Sequence, residues 1–155
     1  MLELKIGEKE YKIEFTIEAS LHKECTEKVT GMMVSITEAQ DKEEIRKMIS
    51  TMSDIPQTTL TMFYAGLLEH HGEDGDGTVT SEKDAKKLIK QYFNEHTEDG
   101  TGNFFDVMEL LIEQMGKDGF FKQIGLEQMM KSGQTEKEPK APQDHKKKAS
   151  KVTEK

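Results

Sequence analysis

The stretch that decides the fold runs Leu60-Thr61-Met62-Phe63-Tyr64-Ala65-Gly66-Leu67-Leu68-Glu69-His70-His71. It is the most apolar window of a chain in which only 34% of the residues are hydrophobic. Its apolar residues recur three and four positions apart, which is the spacing of one helix face. Gly66 disfavours a helix by about 1 kcal/mol relative to Ala, so we expect another part of the backbone to approach it closely. The pattern predicts a central helix against which the other elements pack.

Alternating apolar residues at the N-terminus predict a β-hairpin over residues 1–17. Apolar and polar side chains alternate from Leu2 to Ile6 and, after a turn that contains Gly7, again from Tyr11 to Ile17. A period of two on both sides of a glycine turn is typical of paired strands. A single hairpin is only marginally stable in water, so we expect its apolar face to pack against a helix.

Helical periodicity begins near Ser20. Leu21, Cys25 and Val29 are four residues apart, which predicts a helix that ends before Gly31, with a short strand or a loop after it. Because Cys25 is the only cysteine, no internal disulfide is available. We interpret it as a buried, unreactive thiol.

Four further apolar stripes predict four more helices. They lie over residues 45–52, 85–93, 104–115 and 120–130. Ser81 with Asp84, and Asn103 with Asp106, have the spacing of N-terminal helix caps. Gly116 is expected to end the helix that begins after Asn103.

Residues 132–155 differ from the rest of the chain in composition. They contain seven Lys, four acidic residues and, beyond alanine, a single apolar residue, so they cannot bury enough surface to offset the entropy of ordering. The chain carries a net charge of -8, and this segment carries +3, so residues 1–131 carry -11. The predicted fold is α+β and mainly α. A hairpin (1–17) and a compact bundle of about five or six helices form one domain over 1–131, and a disordered charged tail follows.

The bulk properties exclude several classes of protein. An acidic domain lacks the basic face of a nucleic-acid binder. No apolar run approaches the roughly 20 residues of a membrane span, and the N-terminus has no signal-peptide pattern, so we predict a cytoplasmic protein. We find no Gly-rich phosphate loop, no Ser/His/Asp order and no paired-carboxylate signature. We therefore predict no enzyme activity, no catalytic residue and no cofactor.

An Asp- and Gly-rich stretch resembles a calcium-binding loop. With Gly77 at the sixth position of an EF-hand loop, Asp74 and Asp76 occupy the third and fifth. The first and twelfth positions are Gly72 and Lys83, so two ligands are missing. A similar but less complete stretch, Glu98-Asp99-Gly100-Thr101-Gly102, follows 25 residues further along the chain. We interpret both stretches as Gly/Asp turns between helices, and keep a degenerate EF-hand-like calcium-binding helical module as an alternative.

The histidines lack the spacing of a zinc site. His70 and His71 are adjacent, so on a helix their side chains point about 100° apart, and no Cys or His lies at ligand spacing from them. Histidines at the end of a helix are favoured by the helix dipole. We predict no metal site.

Phe and Met residues are concentrated in the last two predicted helices. Two adjacent pairs, Phe104-Phe105 and Phe120-Phe121, cannot each direct both rings into one core. Methionine serves as core filler, which is one interpretation, and as an adaptable binding surface, which is the other. On the second interpretation these helices form a groove for apolar helical segments of a partner. The candidate partner-binding residues are Phe105, Met115, Phe120, Phe121, Ile124, Met129 and Met130.

This layout resembles the tail assembly chaperones of long-tailed, siphovirus-type bacteriophages and prophages of Gram-positive hosts. The likeness rests on the N-terminal hairpin, the helix that contains residues Phe63 to Leu68, the helix–acidic loop–helix region and the charged end. It covers about residues 1–131. The motifs are apolar patterns, so the likeness assigns no functional residue.

The resemblance implies a non-enzymatic protein of the host cytoplasm that is absent from the mature virion. Such a protein binds and shields the tape-measure protein, helps to recruit tail-tube subunits during tail morphogenesis, and tends to self-associate. Members often have a longer form made by ribosomal frameshifting. Lys146-Lys147-Lys148 is compatible with an A-rich slippery sequence, and equally with a solvated basic tail. A small regulatory or immunity-type binding protein with one specific partner is a further alternative.

Overall fold

The computed structural model describes residues 1–38, 41–51 and 54–128. The tail predicted over residues 132–155 lies outside this part of the chain, and so does the end of the last predicted helix, 129–130.

Two strands and seven helices with both ends in the described residues follow one another, and residues 126–128 are also helical. They are β1 (Leu2–Ile6), β2 (Lys9–Ile13), α1 (Ile17–Leu21), α2 (Lys23–Glu38), α3 (Lys42–Thr51), α4 (Ile55–His71), α5 (Glu82–Glu95), α6 (Phe104–Asp118) and α7 (Phe120–Gln123). The predicted α+β, mainly α fold is confirmed, with five longer helices and two short ones. Within the described ranges, no helix combines the length and the apolar character needed to span a membrane.

The hairpin is antiparallel and shorter than predicted. Leu2 pairs with Ile13 and Ile6 with Lys9 across a turn in which Gly7 has a φ of 65°. Beyond Ile13 the chain turns towards α4, since the N–H of Glu14 donates to the carbonyl of Gly66 in that helix. The strand predicted to continue to Ile17 therefore ends at Ile13, and Ile17 instead begins α1.

Helix α4 is the centre of the fold, as predicted. It contacts β2, α1, α2, α5 and α6. Two backbone N–H groups at the end of the hairpin donate to it: Glu14 N–H to the Gly66 carbonyl, and Lys12 N–H to Nε2 of His71, both at 2.9 Å. A Cβ on Gly66 would lie 2.6 Å from Cγ2 of Ile13 and 3.0 Å from Cζ of Phe15. The close approach predicted at Gly66 is confirmed.

The helix predicted from Ser20 to Gly31 is wrong at both ends. The chain breaks at His22, and α2 then runs through Gly31 to Glu38, so no strand or loop follows the glycine. Gly31 is exposed and a Cβ there would meet nothing within 4 Å, so it has no reason to end the helix. Cys25, Val29 and Met32 are all buried and continue one helix face past it.

The caps of α5 and α6 are confirmed. Ser81 Oγ accepts the N–H of Asp84 at 3.3 Å, and Asn103 Oδ1 accepts the N–H of Asp106 at 2.9 Å.

The predicted end of α6 is wrong. The helix passes through Gly116 to Asp118 and stops at Gly119, whose φ of 73° is left-handed. The helix predicted over residues 120–130 is interrupted. Helix α7 ends at Gln123, Gly125 with a φ of 79° turns the chain, and residues 126–128 are helical again.

We expect the two helical glycines Gly66 and Gly31 to respond oppositely to alanine. Gly66→Ala forces a methyl group against Ile13 and Phe15, which outweighs the better helix propensity and lowers the free energy of unfolding by about 1–3 kcal/mol. Gly31→Ala has open space and raises it by up to about 1 kcal/mol. Urea unfolding followed by circular dichroism measures both. A neutral or stabilising Gly66→Ala would contradict the close packing of β2 on α4.

Candidate functional site

The structure separates the predicted partner-binding residues into three groups. Met115 and Phe120 are fully buried, so the prediction that they contact a partner is wrong. Phe120 packs edge-on against Phe15 with 5.6 Å between ring centroids, and Met115 lies on the buried face of α6. Phe105, Phe121 and Ile124 are half-buried at the edge of the core. The other two candidates, Met129 and Met130, lie outside the described residues.

Two apolar side chains on α1 are more exposed than any of these candidates. Ile17 is 60% and Leu21 is 73% exposed, and they lie one helical turn apart. Helix α1 contacts α7, which contains the half-buried Phe121 and is followed directly by the half-buried Ile124. We call the four residues Ile17, Leu21, Phe121 and Ile124 the α1–α7 surface.

The spacing of four residues predicted that Leu21 and Cys25 belong to one helix. The break at His22 separates the two residues into different helices, and it is stabilised locally, since the ring Nδ1 of His22 accepts the N–H of Cys25 at 3.2 Å and so caps α2. Histidine is not a common helix cap, so the sequence offered no clear sign of the break.

The two Gly/Asp stretches are turns between helices, as interpreted. Asp76-Gly77-Thr78 joins α4 to α5, and Asp99-Gly100-Thr101 joins α5 to α6. In each turn the aspartate accepts the backbone N–H of the threonine at 2.9 Å and also its hydroxyl, and the glycine has a positive φ. The equivalent aspartates are 23 residues apart, so the alignment at 25 residues is wrong by two.

Each turn is tied to a histidine at the end of the preceding helix. His71 lies 2.8 Å from Asp76, and His96 lies 2.8 Å from Asp99, in both cases from ring Nδ1 to a carboxylate oxygen. His71 is 4% exposed, and its Nε2 accepts the N–H of Lys12. The ring hydrogen is therefore on Nδ1, which donates a hydrogen bond to the carboxylate of Asp76. The burial was detectable in the sequence, since His71 follows the apolar Leu67 by four residues.

Asp76 joins three parts of the chain. Besides His71 of α4 and Thr78 of its own turn, it accepts the ammonium group of Lys9 in the hairpin at 3.1 Å. Partial burial opposes its ionisation, but the hydrogen bonds from Thr78, His71 and Lys9 outweigh that effect and hold the pKa of Asp76 well below its usual range. Hydrogen bonds from Thr101 and His96 likewise lower the pKa of Asp99 to about 2.

The hydrogen bonds of Asp76 concern the calcium-binding interpretation, which takes this carboxylate as a ligand. The carboxylate at the fifth position of the EF-hand-like stretch, Asp76, is already hydrogen-bonded on both oxygens. Across residues 1–38, 41–51 and 54–128, no three His, Cys, Asp or Glu side chains are grouped so as to hold a metal ion.

No protein-family model, curated protein or solved structure matches the chain. The function proposed below is therefore supported by the sequence resemblance and by the geometry of the described residues.

We expect Asp76 and its neighbour Asp74 to differ in their effect on acid stability. The pKa of Asp76 is lower in the folded chain than the value of about 3.9 in an unfolded one, so its contribution to stability is present above about pH 4 and is lost as the pH falls through the folded pKa. Asp76→Asn lowers the free energy of unfolding at pH 7 by about 1 kcal/mol, a modest value because the carboxylate is 40% exposed.

Urea titrations at pH 7, 4 and 3 measure this effect. Asp76→Asn weakens the loss of stability between pH 4 and 3, because the titrating carboxylate is gone. Asp74→Asn is the matched control, since Asp74 forms no hydrogen bond or ion pair with another described residue. Its free energy of unfolding is expected to change with pH as that of the original chain does. Equal behaviour of the two variants would contradict the assigned role of Asp76.

Cys25 is expected to be unreactive in the folded protein. Burial, reinforced by the charge of Glu24, raises the pKa of its thiol to about 12, so almost no thiolate is present at neutral pH. A disulfide reagent such as Ellman's titrates one thiol rapidly in urea, and does so at least tenfold more slowly in the native protein. Rapid native labelling would contradict the burial of α2 against α4.

Proposed function

We propose that this chain is a tail assembly chaperone of a long-tailed phage or prophage, which acts by binding another protein and performs no catalysis. The observation that carries the proposal is the α1–α7 surface: Ile17 and Leu21 are exposed one turn apart on α1, and α1 contacts α7, at which Phe121 and Ile124 are half-buried. Isolated exposed apolar residues are ordinary on protein surfaces, but neighbouring ones on adjoining elements are typical of binding sites. The sequence resemblance supplies the identity of the partner.

The physical demands of the task suit such a surface. A tape-measure protein is a long helical chain with apolar stripes, and it would aggregate if these stripes stayed exposed to water. A domain that covers two or three apolar side chains at a time binds each segment weakly, and many copies together shield the whole length. The net charge of -11 over residues 1–131 keeps the coated complex soluble.

The remaining parts of the proposal come from the resemblance. The chaperone recruits tail-tube subunits, through a longer frameshifted form where one is made, and self-associates on the tape-measure protein. It acts in the host cytoplasm and does not enter the mature virion. It uses no cofactor, metal, membrane or nucleic acid.

No specific observation favours the other two candidates. The calcium interpretation requires Asp76 as a ligand, and that carboxylate is engaged by Lys9, His71 and Thr78. A regulatory or immunity-type protein is separated from a chaperone by its gene neighbourhood, since a very long helical reading frame just downstream accompanies only the tail function.

Co-expression with that downstream reading frame tests the proposal. We expect the tape-measure protein to be insoluble alone, and to become soluble and to co-purify with the full chain in a ratio of several chaperones per partner. An unrelated long coiled coil serves as the control and is not retained. If the tape-measure protein stays insoluble or fails to co-purify, the proposed function is wrong.

A further inference from the structure

Helix α1 lies between two surface pockets with acidic walls. The first has a volume of about 310 Å³ and lies between α1, α4 and the turn after α4. The second has a volume of about 390 Å³ and lies between α1 and the ends of α4 and α6. Glu18 of α1 lines both pockets, and Ile17 lines the second. The exposed apolar pair Ile17 and Leu21 is therefore bordered by negative charge.

The charges of the second pocket are largely engaged within the protein. Glu14 lies 2.7 Å from Nε2 of His70, and Glu69 accepts the hydroxyl of Thr16 at 2.7 Å. Asp118 accepts the N–H of Phe15 at 2.9 Å and lies 3.6 Å from the N-terminal ammonium group. These three carboxylates, Glu14, Glu69 and Asp118, link elements of the fold, so they are less available to a partner than Glu18, which lines both pockets.

The charges of the first pocket are not engaged in this way. Its carboxylates are Glu18, Glu73 and Asp74, and no cation of another described residue lies within salt-bridge distance of them. The half-buried side chains of Tyr64 and Leu68 line the same pocket.

The field in the first pocket is negative. Burial and the nearby charges of Glu82, Glu73 and Asp84 raise the pKa of Tyr64. An apolar lining combined with a negative rim matches a Lys or Arg side chain, which has an apolar stem and a charged end.

We propose that α1 and the first pocket together form a docking surface for a helical partner segment that carries apolar side chains one turn apart and a Lys or Arg beside them. The apolar side chains cover Ile17 and Leu21, and the basic side chain lies along Tyr64 and Leu68 with its charge among Glu18, Glu73 and Asp74. The proposal deepens the proposed function, on which it rests in taking the partner to be a helical protein chain, and it specifies the chemistry of the bound segment.

Charge complementarity selects this occupant. The unpaired carboxylates of the first pocket, one of which is Glu18 on the same helix as Leu21, repel an acidic segment and leave a neutral one with three desolvated charges, whereas a basic segment neutralises them. The same carboxylates increase the rate of association with a basic partner, and this increase falls with added salt.

Peptide binding to the full chain tests the docking surface. The probe is a synthetic helical peptide of sixteen residues with Leu at positions one turn apart, Lys and Arg on its flanks and a fluorescent label. We expect the double variant Ile17→Ser/Leu21→Ser to bind it at least tenfold more weakly. The triple variant Glu18→Gln/Glu73→Gln/Asp74→Asn also binds at least tenfold more weakly and loses most of the salt dependence.

Two controls separate local from general effects. Val34→Ser removes an exposed apolar side chain from α2, and Glu109→Gln removes an exposed charge from α6, and both variants keep the original affinity. All variants replace exposed or half-buried side chains, so their melting temperatures remain within about 2 °C of the original chain, which a thermal melt verifies.

Three results would overturn the proposal. One is unchanged peptide affinity in the apolar or the charge variant. Another is equal binding of a peptide with the same Leu positions and Glu in place of Lys and Arg. The third is a tenfold gain in peptide affinity in the variant Lys146→Gln/Lys147→Gln/Lys148→Gln, which would assign the surface to the basic end of this same chain instead of a partner.

The outcomes also distinguish the docking surface from the proposed function. If the apolar and charge variants lose the peptide but the original chain does not retain the tape-measure protein, the surface stands and the chaperone function falls. If the original chain and both variants retain the tape-measure protein equally well, the chaperone function stands and the surface is wrong.

Discussion

The fold depends on how α4 completes the open edge of the hairpin. A strand at the edge of a sheet leaves N–H groups unpaired, and these must find partners or remain in water. Here Lys12 and Glu14 donate theirs to α4, to the ring of His71 and to the carbonyl of Gly66. This is possible because Gly66 has no side chain to hold the strand away. Once the strand is seated, Phe15 enters the core and packs against Phe120 from the far end of the domain.

Several features of the fold were predictable from the sequence because they have local causes. The central helix, the turn of the hairpin and the caps at Ser81 and Asn103 each have a local cause in the order of the residues and were predicted correctly, whereas β2 is shorter than predicted. The close approach at Gly66 was also predictable, because a glycine in a strongly apolar helix needs a reason. The sequence does not show that the N–H of Glu14 donates to the carbonyl of Gly66 in α4, the contact at which β2 ends.

Glycine was a less reliable guide to where helices end. Gly31 and Gly116 were both expected to end helices, yet both lie inside one. Gly119 ends α6 because the chain there adopts a left-handed conformation, with a φ of 73°. The residue type permits that conformation but does not require it, and whether it is adopted depends on where the following segment packs.

Tertiary packing, and not the sequence pattern, decides which of the candidate binding residues are buried. In the pair Phe120-Phe121 only one ring is fully buried, and the sequence does not indicate which one, whereas Phe104 and Phe105 are both half-buried against the core. Phe120 is buried and Phe121 is half-buried, because only the first faces Phe15. The more exposed pair, Ile17 and Leu21, was missed, since the hairpin alternation explained one and the Cys25 periodicity the other. Both patterns were real, and both were interrupted by tertiary packing at residues 14–22.

The pairing of β2 with α4 has a consequence for how this protein folds during its synthesis. β2 ends at Ile13 and α4 begins at Ile55, so about forty residues of chain must be synthesised between the strand and the helix that covers it. Throughout that interval the N–H groups of Lys12 and Glu14 have no partner in α4, and the side chains of Ile13 and Phe15 are exposed to water. An isolated hairpin of this size is marginal in water, so the N-terminal segment acquires its structure only when α4 emerges. The first two strands therefore fold together with α4, long after they have themselves been synthesised.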